Sequence, residues 1–310
     1  MRIVHLDLGG ELRGGQRQVL LLARGLGERG HGQVLLAPAG SPLLGESLRL
    51  GLGARPAGWA ALALEARAAD LVHAHDARAH TMAVLAAPDR PVVVSRRVAF
   101  PVREGLLSRW KYRRAARFLA VSEFVKGRLL EAGVEAARIS VVYDGVEMAP
   151  PQRPASRSRL VIAPASADPG KGSALAQESC RRAGIELRLS NELERDLAEA
   201  ALLLYLSECE GLGSAILLAM ARGVPVLASR VGGIPELIEH RRTGLLVDND
   251  AEVVAAELSW MLANLDYAAA LAVAARAQIP ARFSDAIMVA QTEQAYEQVV
   301  SHQLSVTAGD

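Results

Sequence analysis

The 310-residue chain has only two cysteines, Cys180 and Cys209, without metal-ligand spacing. Two thiols cannot build a disulfide framework or a cysteine metal site, and they suit a reducing compartment. Charge of one sign is also missing: the formal net charge is +1, which gives no electrostatic case for nucleic acid as a partner. No apolar run reaches transmembrane length, and His5 and Asp7 interrupt the first residues too early for a signal peptide. Internal repeats and low-complexity segments are absent beyond a richness in alanine. The expectation is a soluble, cytoplasmic protein, at most peripheral at the inner face of a membrane.

What the chain has is apolar residues, 51% against 22% charged, enough at this length for two ordinary cores. Ile3–Leu6 reads as a strand, 9–15 as a polar glycine loop, 16–29 as a helix with Val19, Leu22, Ala23 and Leu26 on one face, and Gln33–Ala37 as the next strand. A unit of that size predicts a right-handed crossover and a parallel sheet. Further strands fit 71–75, 91–95, 118–121 and 140–143. Pro150, Pro151 and Pro154 with Ser156, Arg157 and Ser158 form the best linker candidate. The expected domains are residues 1–150, 151–280, and a closing segment 281–310 with a helix over 283–299 and a frayed tail from 301. Beyond the linker, strands fit 160–163, 186–189, 202–206, 225–228 and 244–247.

The most informative stretch is 207–236. An apolar run ends at Ser207, Glu208, Cys209 and Glu210, and Gly211, Leu212 and Gly213 lead into a helix expected over 214–222. Glycines there let backbone approach a ligand, and the free N–H groups of a first helical turn suit a phosphate. Glu210 at that mouth would repel a phosphate it faced, so it reads as an acceptor for hydroxyls carried by the phosphate, as a sugar offers. The plain alternative is a strand–loop–helix turn with a solvated glutamate.

Glu-Gly-Leu-Gly (210–213), Ala-Met-Ala-Arg-Gly-Val-Pro-Val (219–226), Gly-Gly-Ile-Pro-Glu (232–236) and Thr-Gly-Leu-Leu-Val (243–247), in that order, resemble the signature of retaining glycosyltransferases of family 4 (group 1). The resemblance implies an α/β GT-B fold: two facing Rossmann-like domains with parallel sheets, the second reduced here. It implies a nucleotide-sugar donor used as substrate, no cofactor, no metal, and a glycan or lipid-linked acceptor in glycoconjugate or cell-envelope synthesis. The family carries two glutamates eight positions apart; the first matches Glu210, and the second position holds Leu218. A leucine cannot accept from ribose hydroxyls, a loss of roughly 1.5–3 kcal/mol.

By the same resemblance Lys171 steadies the leaving diphosphate, while the arginine five positions upstream is replaced by Ser166. Arg157 or Arg230 are the substitutes the sequence offers. Gly14 and Gly15 match the glycine motif that meets the donor, with Gln18 near its arginine position. His75, or alternatively His73, matches a histidine that donates a hydrogen bond to the sugar. Gly232 and Gly233 allow close approach, and Glu236 caps the next helix beside the donor pocket. Catalytic weight thus falls on Glu210, Lys171 and His75, and donor binding on Gly14, Gly15, Gly211, Leu212, Gly213, Ser214, Gly232, Gly233 and Glu236.

Other features carry two readings. His73 and His75 share a strand face and could bind zinc with Asp76 or His80, or be satisfied core histidines. Arg96 or Arg97 could face a phosphate or an acidic acceptor. Arg103, Arg109, Lys111, Arg113, Arg114 and Arg117 with Trp110 and Tyr112 read as a solvated helix face, or as a patch for an anionic membrane. The alternative to a transferase is a non-catalytic relative that binds a sugar or phosphosugar or assists a partner enzyme.

Overall fold

The computed structural model describes residues 1–102, 105–148, 150 and 159–307. The expected linker residues Pro151, Pro154, Ser156, Arg157 and Ser158, and Arg103 of the basic stretch, lie outside them. The chain forms two compact units, Met1–Gly145 with Asp285–Asp310, and Val146–Ser284.

The first unit contains strands β1 (Arg2–Leu6), β2 (Gly32–Ala37), β3 (Ala54–Pro56), β4 (Leu71–Ala74), β5 (Val92–Arg96), β6 (Arg117–Ala120) and β7 (Ile139–Val141). Its helices are α1 (Gly14–Glu28), α2 (Pro42–Arg49), α3 (Trp59–Arg67), α4 (Ala77–Ala86), α5 (Leu106–Arg114) and α6 (Glu123–Glu131). The second unit contains strands β8 (Val161–Pro164), β9 (Leu187–Ser190), β10 (Leu202–Tyr205), β11 (Val226–Ser229) and β12 (Leu245–Val247). Its helices are α7 (Ser173–Ala183), α8 (Leu193–Asp196), α9 (Ser214–Arg222), α10 (Ile234–Leu237), α11 (Ala251–Ala263) and α12 (Leu265–Ala277). The last helix, α13 (Asp285–Thr307), belongs to the first unit.

Both sheets are parallel throughout, in orders β3-β2-β1-β4-β5-β6-β7 and β12-β11-β10-β8-β9. Strands covered on both faces read as continuous apolar runs, as Leu202–Leu204 and Val92–Val94 do. The sequence missed β3, three residues ending in proline, which is tolerated because β3 is an edge strand. In the first unit Leu22, Leu26, Tyr296 and Val299 pack on Ile3, Leu71, Val93 and Leu119. There α1 meets α13 so closely that a Cβ on Gly25 would lie 2.5 Å from Val289 Cγ2. The second core joins β8, β10, β11 and β12 to α7, α11 and α12.

Two expectations are corrected. The helix after 283 runs on to Thr307, where a frayed tail from 301 was expected; Val299 still packs in the core and carries the helix onward. The first helix starts at Gly14, so Gly14 and Gly15 are its first turn rather than loop. Arg13 donates its N–H to Gln16 Oε1 at 3.2 Å, which closes the helix start two residues early.

Candidate functional site

In each sheet the strand order reverses at one point, between β1 and β4 in the first unit and between β8 and β10 in the second. Ligands of open α/β sheets bind outside the carboxyl ends of strands at such points. The expected site residues gather at these two places.

In the second unit, the loop after β8 supplies Lys171 and the loop after β10 supplies Glu210. The loops are laced together: Glu208 donates its N–H to Gly170 O at 2.9 Å, and Ser207 Oγ donates to the same carbonyl at 3.2 Å. Gly172, at φ +67°, is required there because a Cβ would sit 2.6 Å from Leu206 O. Asn249 Nδ2 donates to Ser207 O at 2.9 Å, and Ser229 Oγ accepts from Ser207 N at 3.0 Å. The result is a loop held from three sides. Lys171 stands in a short 3-10 turn (Pro169–Lys171) ahead of α7, and Gly172 in the left-handed region separates the two.

Glu210 is the hub. Its Oε2 accepts from Lys171 Nζ at 2.7 Å and from Tyr205 OH at 2.7 Å, and its Oε1 accepts from Gly211 N at 3.1 Å. Its side chain is 14% exposed and that of Lys171 40%. The sequence raised the problem of a carboxylate beside a phosphate, and this arrangement answers it: the ammonium compensates the charge, and hydroxyl and amide fix the head. Burial, and the carboxylate beside it, push the Tyr205 phenol well above its usual range, so it stays a donor. Tyr205 was hidden in the sequence as the end of an apolar run; a hydroxyl on the last residue before the loop was the available signal.

Gly211, Leu212 and Gly213 lead from Glu210 into α9, and Gly213 holds φ +111° at its N-cap. No side chain caps the helix, so first-turn amides remain for a ligand. Leu212 is buried, and Ser214 is half-buried. Leu218, one turn beyond Ser214 on the same face, is also half-buried while Ile216, Leu217, Ala219 and Met220 form the inner side. Leu218 therefore extends the surface that begins at Ser214. Gly232, at φ +56°, passes so close that a Cβ would lie 1.9 Å from Glu210 O, and Gly233 donates its N–H to that carbonyl at 3.0 Å. Glu236 lies within α10, whose N-cap is Gly233, so the expected capping role falls away: the helix starts at Ile234, two residues before it. Ser166 Oγ accepts from Asp168 N at 3.1 Å and shapes the turn instead of supplying a cation. Arg230 spends its guanidinium on Leu246 O at 3.1 Å.

In the first unit, Gly14 and Gly15 open α1, and a Cβ on Gly15 would come 3.9 Å from Arg97 Cδ. Of the two arginines, Arg97 is thus the one beside the helix start. Its Nε donates to Asp144 Oδ1 at 3.0 Å, while one terminal nitrogen is buried without a partner among the described residues. Arg96 is turned elsewhere, donating to Phe100 O at 2.6 Å. A cavity of about 10 Å³, water-sized, is lined by Arg97, His73, Ser95, Asp144 and Thr292 among others. Gln18 is a clasp: its Nε2 donates to Gly145 O at 2.8 Å and its Oε1 accepts from Gly145 N at 2.9 Å.

His75 lies in a group of three buried histidines that sequence spacing could not reveal, because the register of β1 on β4 puts His5 opposite His73. Burial lowers the pKa of His5 to about 4 and those of His73 and His75 well below the usual value, so all three are neutral. Their tautomers follow in order. Gln33 Nε2 donates to Ala23 O, leaving Gln33 Oε1 to accept from His5 Nε2 at 3.1 Å. His5 Nδ1 is then an acceptor, 3.0 Å from His75 Nε2, which donates. The remaining atom, His75 Nδ1, is a buried lone pair without a partner among the described residues. The expectation that His75 donates to a sugar is corrected: the chain from Ala23 through Gln33 and His5 consumes its only proton. His73 is a satisfied core histidine, 2.6 Å from Tyr296 OH and 2.8 Å from Ser95 Oγ. As zinc partners, Asp76 and His80 are diverted: Asp76 caps α4, and His80 Nε2 is 3.2 Å from Lys111 O.

Comparison with known proteins follows the two halves. The family model described as Glycosyltransferase Family 4 matches residues 12–149, and that described as Glycosyl transferases group 1 matches residues 135–264. N-acetyl-alpha-D-glucosaminyl L-malate synthase of Bacillus anthracis is 38% identical over 105 residues, 34% of this chain and 28% of that protein. The amylovoran biosynthesis glycosyltransferase AmsK of Erwinia amylovora is 26% identical over 230 residues, 71% of this chain and 54% of that protein. These alignments span about half or less of the relatives' own lengths. Among solved structures, Anabaena HepE in complex with UDP and glucose superposes with a TM-score of 0.83 at 18% identity, covering 96% of this chain and 100% of that one. That likeness establishes the fold: two Rossmann-like units of the GT-B kind.

Proposed function

We propose that this chain, which is of the family 4 and group 1 glycosyltransferase type, moves a hexose-type sugar from a nucleotide-activated donor to a hydroxyl acceptor with retention of configuration. The acceptor is a growing glycan or a lipid-linked sugar of cell-envelope synthesis; the similar AmsK is a glycosyltransferase of amylovoran biosynthesis. The observation that carries the reading is the Lys171–Glu210 pair at the uncapped start of α9.

In this reading the donor diphosphate lies over the first-turn amides of α9, with Lys171 supplying the fixed cation for the charge that develops as the C1–O bond breaks. Glu210, already oriented by Tyr205 and Gly211, accepts from sugar hydroxyls. The amides of Gly14 and Gly15, with Arg97 beside them, offer a second place for phosphate or sugar oxygens. Gly232, Gly233 and Glu236 border the pocket. The acceptor oxygen bonds to C1 on the face the phosphate leaves, and its proton passes to the departing phosphate oxygen. Catalysis rests on positioning and electrostatics, with no metal and no protein base. Leu218 and Ser166 weaken the ribose and diphosphate grips.

Incubation of the protein with UDP-, GDP- and ADP-sugars and a hydroxyl acceptor, followed by NMR of the product's anomeric linkage, tests this. The expected product keeps the donor's configuration, and Lys171→Met lowers turnover about 100-fold. An inverted linkage would overturn retention; turnover untouched by Lys171→Met would remove the lysine from the mechanism.

A further inference from the structure

The Glu210 carboxylate is nearly spent on its own neighbours. A carboxylate has about four acceptor sites, and three of them are taken: Lys171 Nζ and Tyr205 OH both donate to Oε2 at 2.7 Å, and Gly211 N donates to Oε1 at 3.1 Å. A sugar hydroxyl therefore finds one site on Oε1 and none on Oε2. For Glu210 to accept from a second hydroxyl, one of its donors must leave.

The three donors differ in their freedom to do so. Gly211 N is main chain, in a segment held by the Gly233 N–H on Glu210 O at 3.0 Å. Tyr205 ends β10, a strand flanked in its sheet by β8 and β11, and its ring lies against the main chain of α9, where a Cβ on Gly213 would come 3.7 Å from Cε1. Lys171 carries its ammonium on a flexible four-carbon stem, and its side chain is 40% exposed. Its backbone cannot follow, because Gly170 O accepts from Glu208 N at 2.9 Å and Gly172 is wedged against Leu206. The ammonium is thus the part of the site that can move, and it moves toward the greater negative charge, which a diphosphate carries over a single carboxylate. No second cation relieves it at the positions where one was expected, since Ser166 shapes a turn and Arg230 donates to Leu246 O.

We propose that the Lys171–Glu210 pair is a latch that a diphosphate opens. The diphosphate draws the ammonium off Oε2, and the acceptor site so freed, with the open one on Oε1, takes hydroxyls of the sugar carried on that same diphosphate. Tyr205 is the positioning residue that holds the carboxylate once the lysine has turned away. Recognition of the sugar is thereby made conditional on recognition of the diphosphate, and a free sugar meets a closed latch. This deepens the donor reading of the site and rests on it.

The test is titration calorimetry of the full chain with UDP, GDP and ADP, and with the glucose donor of each. Glu210→Gln unties the lysine, so a nucleoside diphosphate that binds the wild type should bind this variant about fivefold tighter. Glu208→Gln removes the same charge from the same loop, at an exposed side chain outside the pair, and should change that affinity by no more than about twofold. Tyr205→Phe should leave the diphosphate affinity within about twofold of wild type while weakening the sugar donor about tenfold. A merely structural tyrosine would not give that split, and the retained diphosphate affinity verifies that the variant is folded. No tightening by Glu210→Gln, or equal tightening by Glu208→Gln, would overturn the latch. Parallel loss of diphosphate and donor in Tyr205→Phe would overturn the positioning role. In each of those cases nucleotide binding by the wild type leaves the donor reading standing; if no nucleotide or donor binds the wild type, the donor reading itself fails and the latch with it.

Discussion

Glu210 shows how little freedom the site residues have. Its main chain is fixed as firmly as its side chain, since Gly233 N–H reaches its carbonyl and Gly232 leaves room for that contact. Gly232→Ala combines a left-handed φ of +56° with a Cβ 1.9 Å from a carbonyl oxygen that is not free to move. The substitution should cost at least about 2 kcal/mol and lower the melting temperature by roughly 5 °C or more, read by thermal unfolding; an unchanged melting temperature would show that the loop yields. At this scale the sequence was partly legible. The glycines and Glu210 stood out because their types are unusual beside a strand end. Asn249 and Ser229, which fasten the loop, were invisible because ordinary residues acquire such roles only through contacts distant along the chain.

Strands and helices explain the histidines. β1 and β4 lie side by side in register, so His5, His73 and His75 share one buried layer, which α1 and α13 help to close. His80 on α4 joins them as a buried neutral histidine, its pKa lowered to about 3. Each has a folded pKa below its unfolded value near 6.5. As pH falls below that value the unfolded chain takes up protons that the folded one refuses, so stability is full above about pH 6.5 and is lost toward the folded pKa. For His5, whose folded value is about 4, the loss across that window is about 3 kcal/mol. Melting temperature should therefore fall steeply between about pH 6.5 and about pH 4, and His5→Gln or His80→Gln should flatten the fall; a curve level across that window would contradict the burial of neutral histidines. Strand positions themselves were legible, since runs such as 202–206 and 71–75 announce covered strands. What the sequence lacked was register, and with it the contact that commits the His75 proton to His5.

At the scale of the molecule, the order of motifs along the chain carried the fold, because the motifs sit at successive junctions between the helices and parallel strands of the second unit. The two switch points assemble Gly14, Gly15 and Arg97 in one unit, and Lys171, Glu210, Gly211, Gly213 and Ser214 in the other. The basic stretch of α5 carried two readings in the sequence, a solvated helix face or a patch for an anionic membrane, and only the anchoring of Lys111 and Tyr112 shows which side is turned inward. The central claim is that the second unit binds a nucleotide sugar through Lys171 and the start of α9, with a weakened ribose grip at Leu218. Its most direct test is thermal unfolding of the wild type, Lys171→Met and Leu218→Glu with UDP-, GDP- and ADP-glucose. At least one donor should raise the wild-type melting temperature, Lys171→Met should abolish the rise, and Leu218→Glu should tighten binding about tenfold or more. No shift from any of the three donors in either the wild type or Leu218→Glu would contradict it.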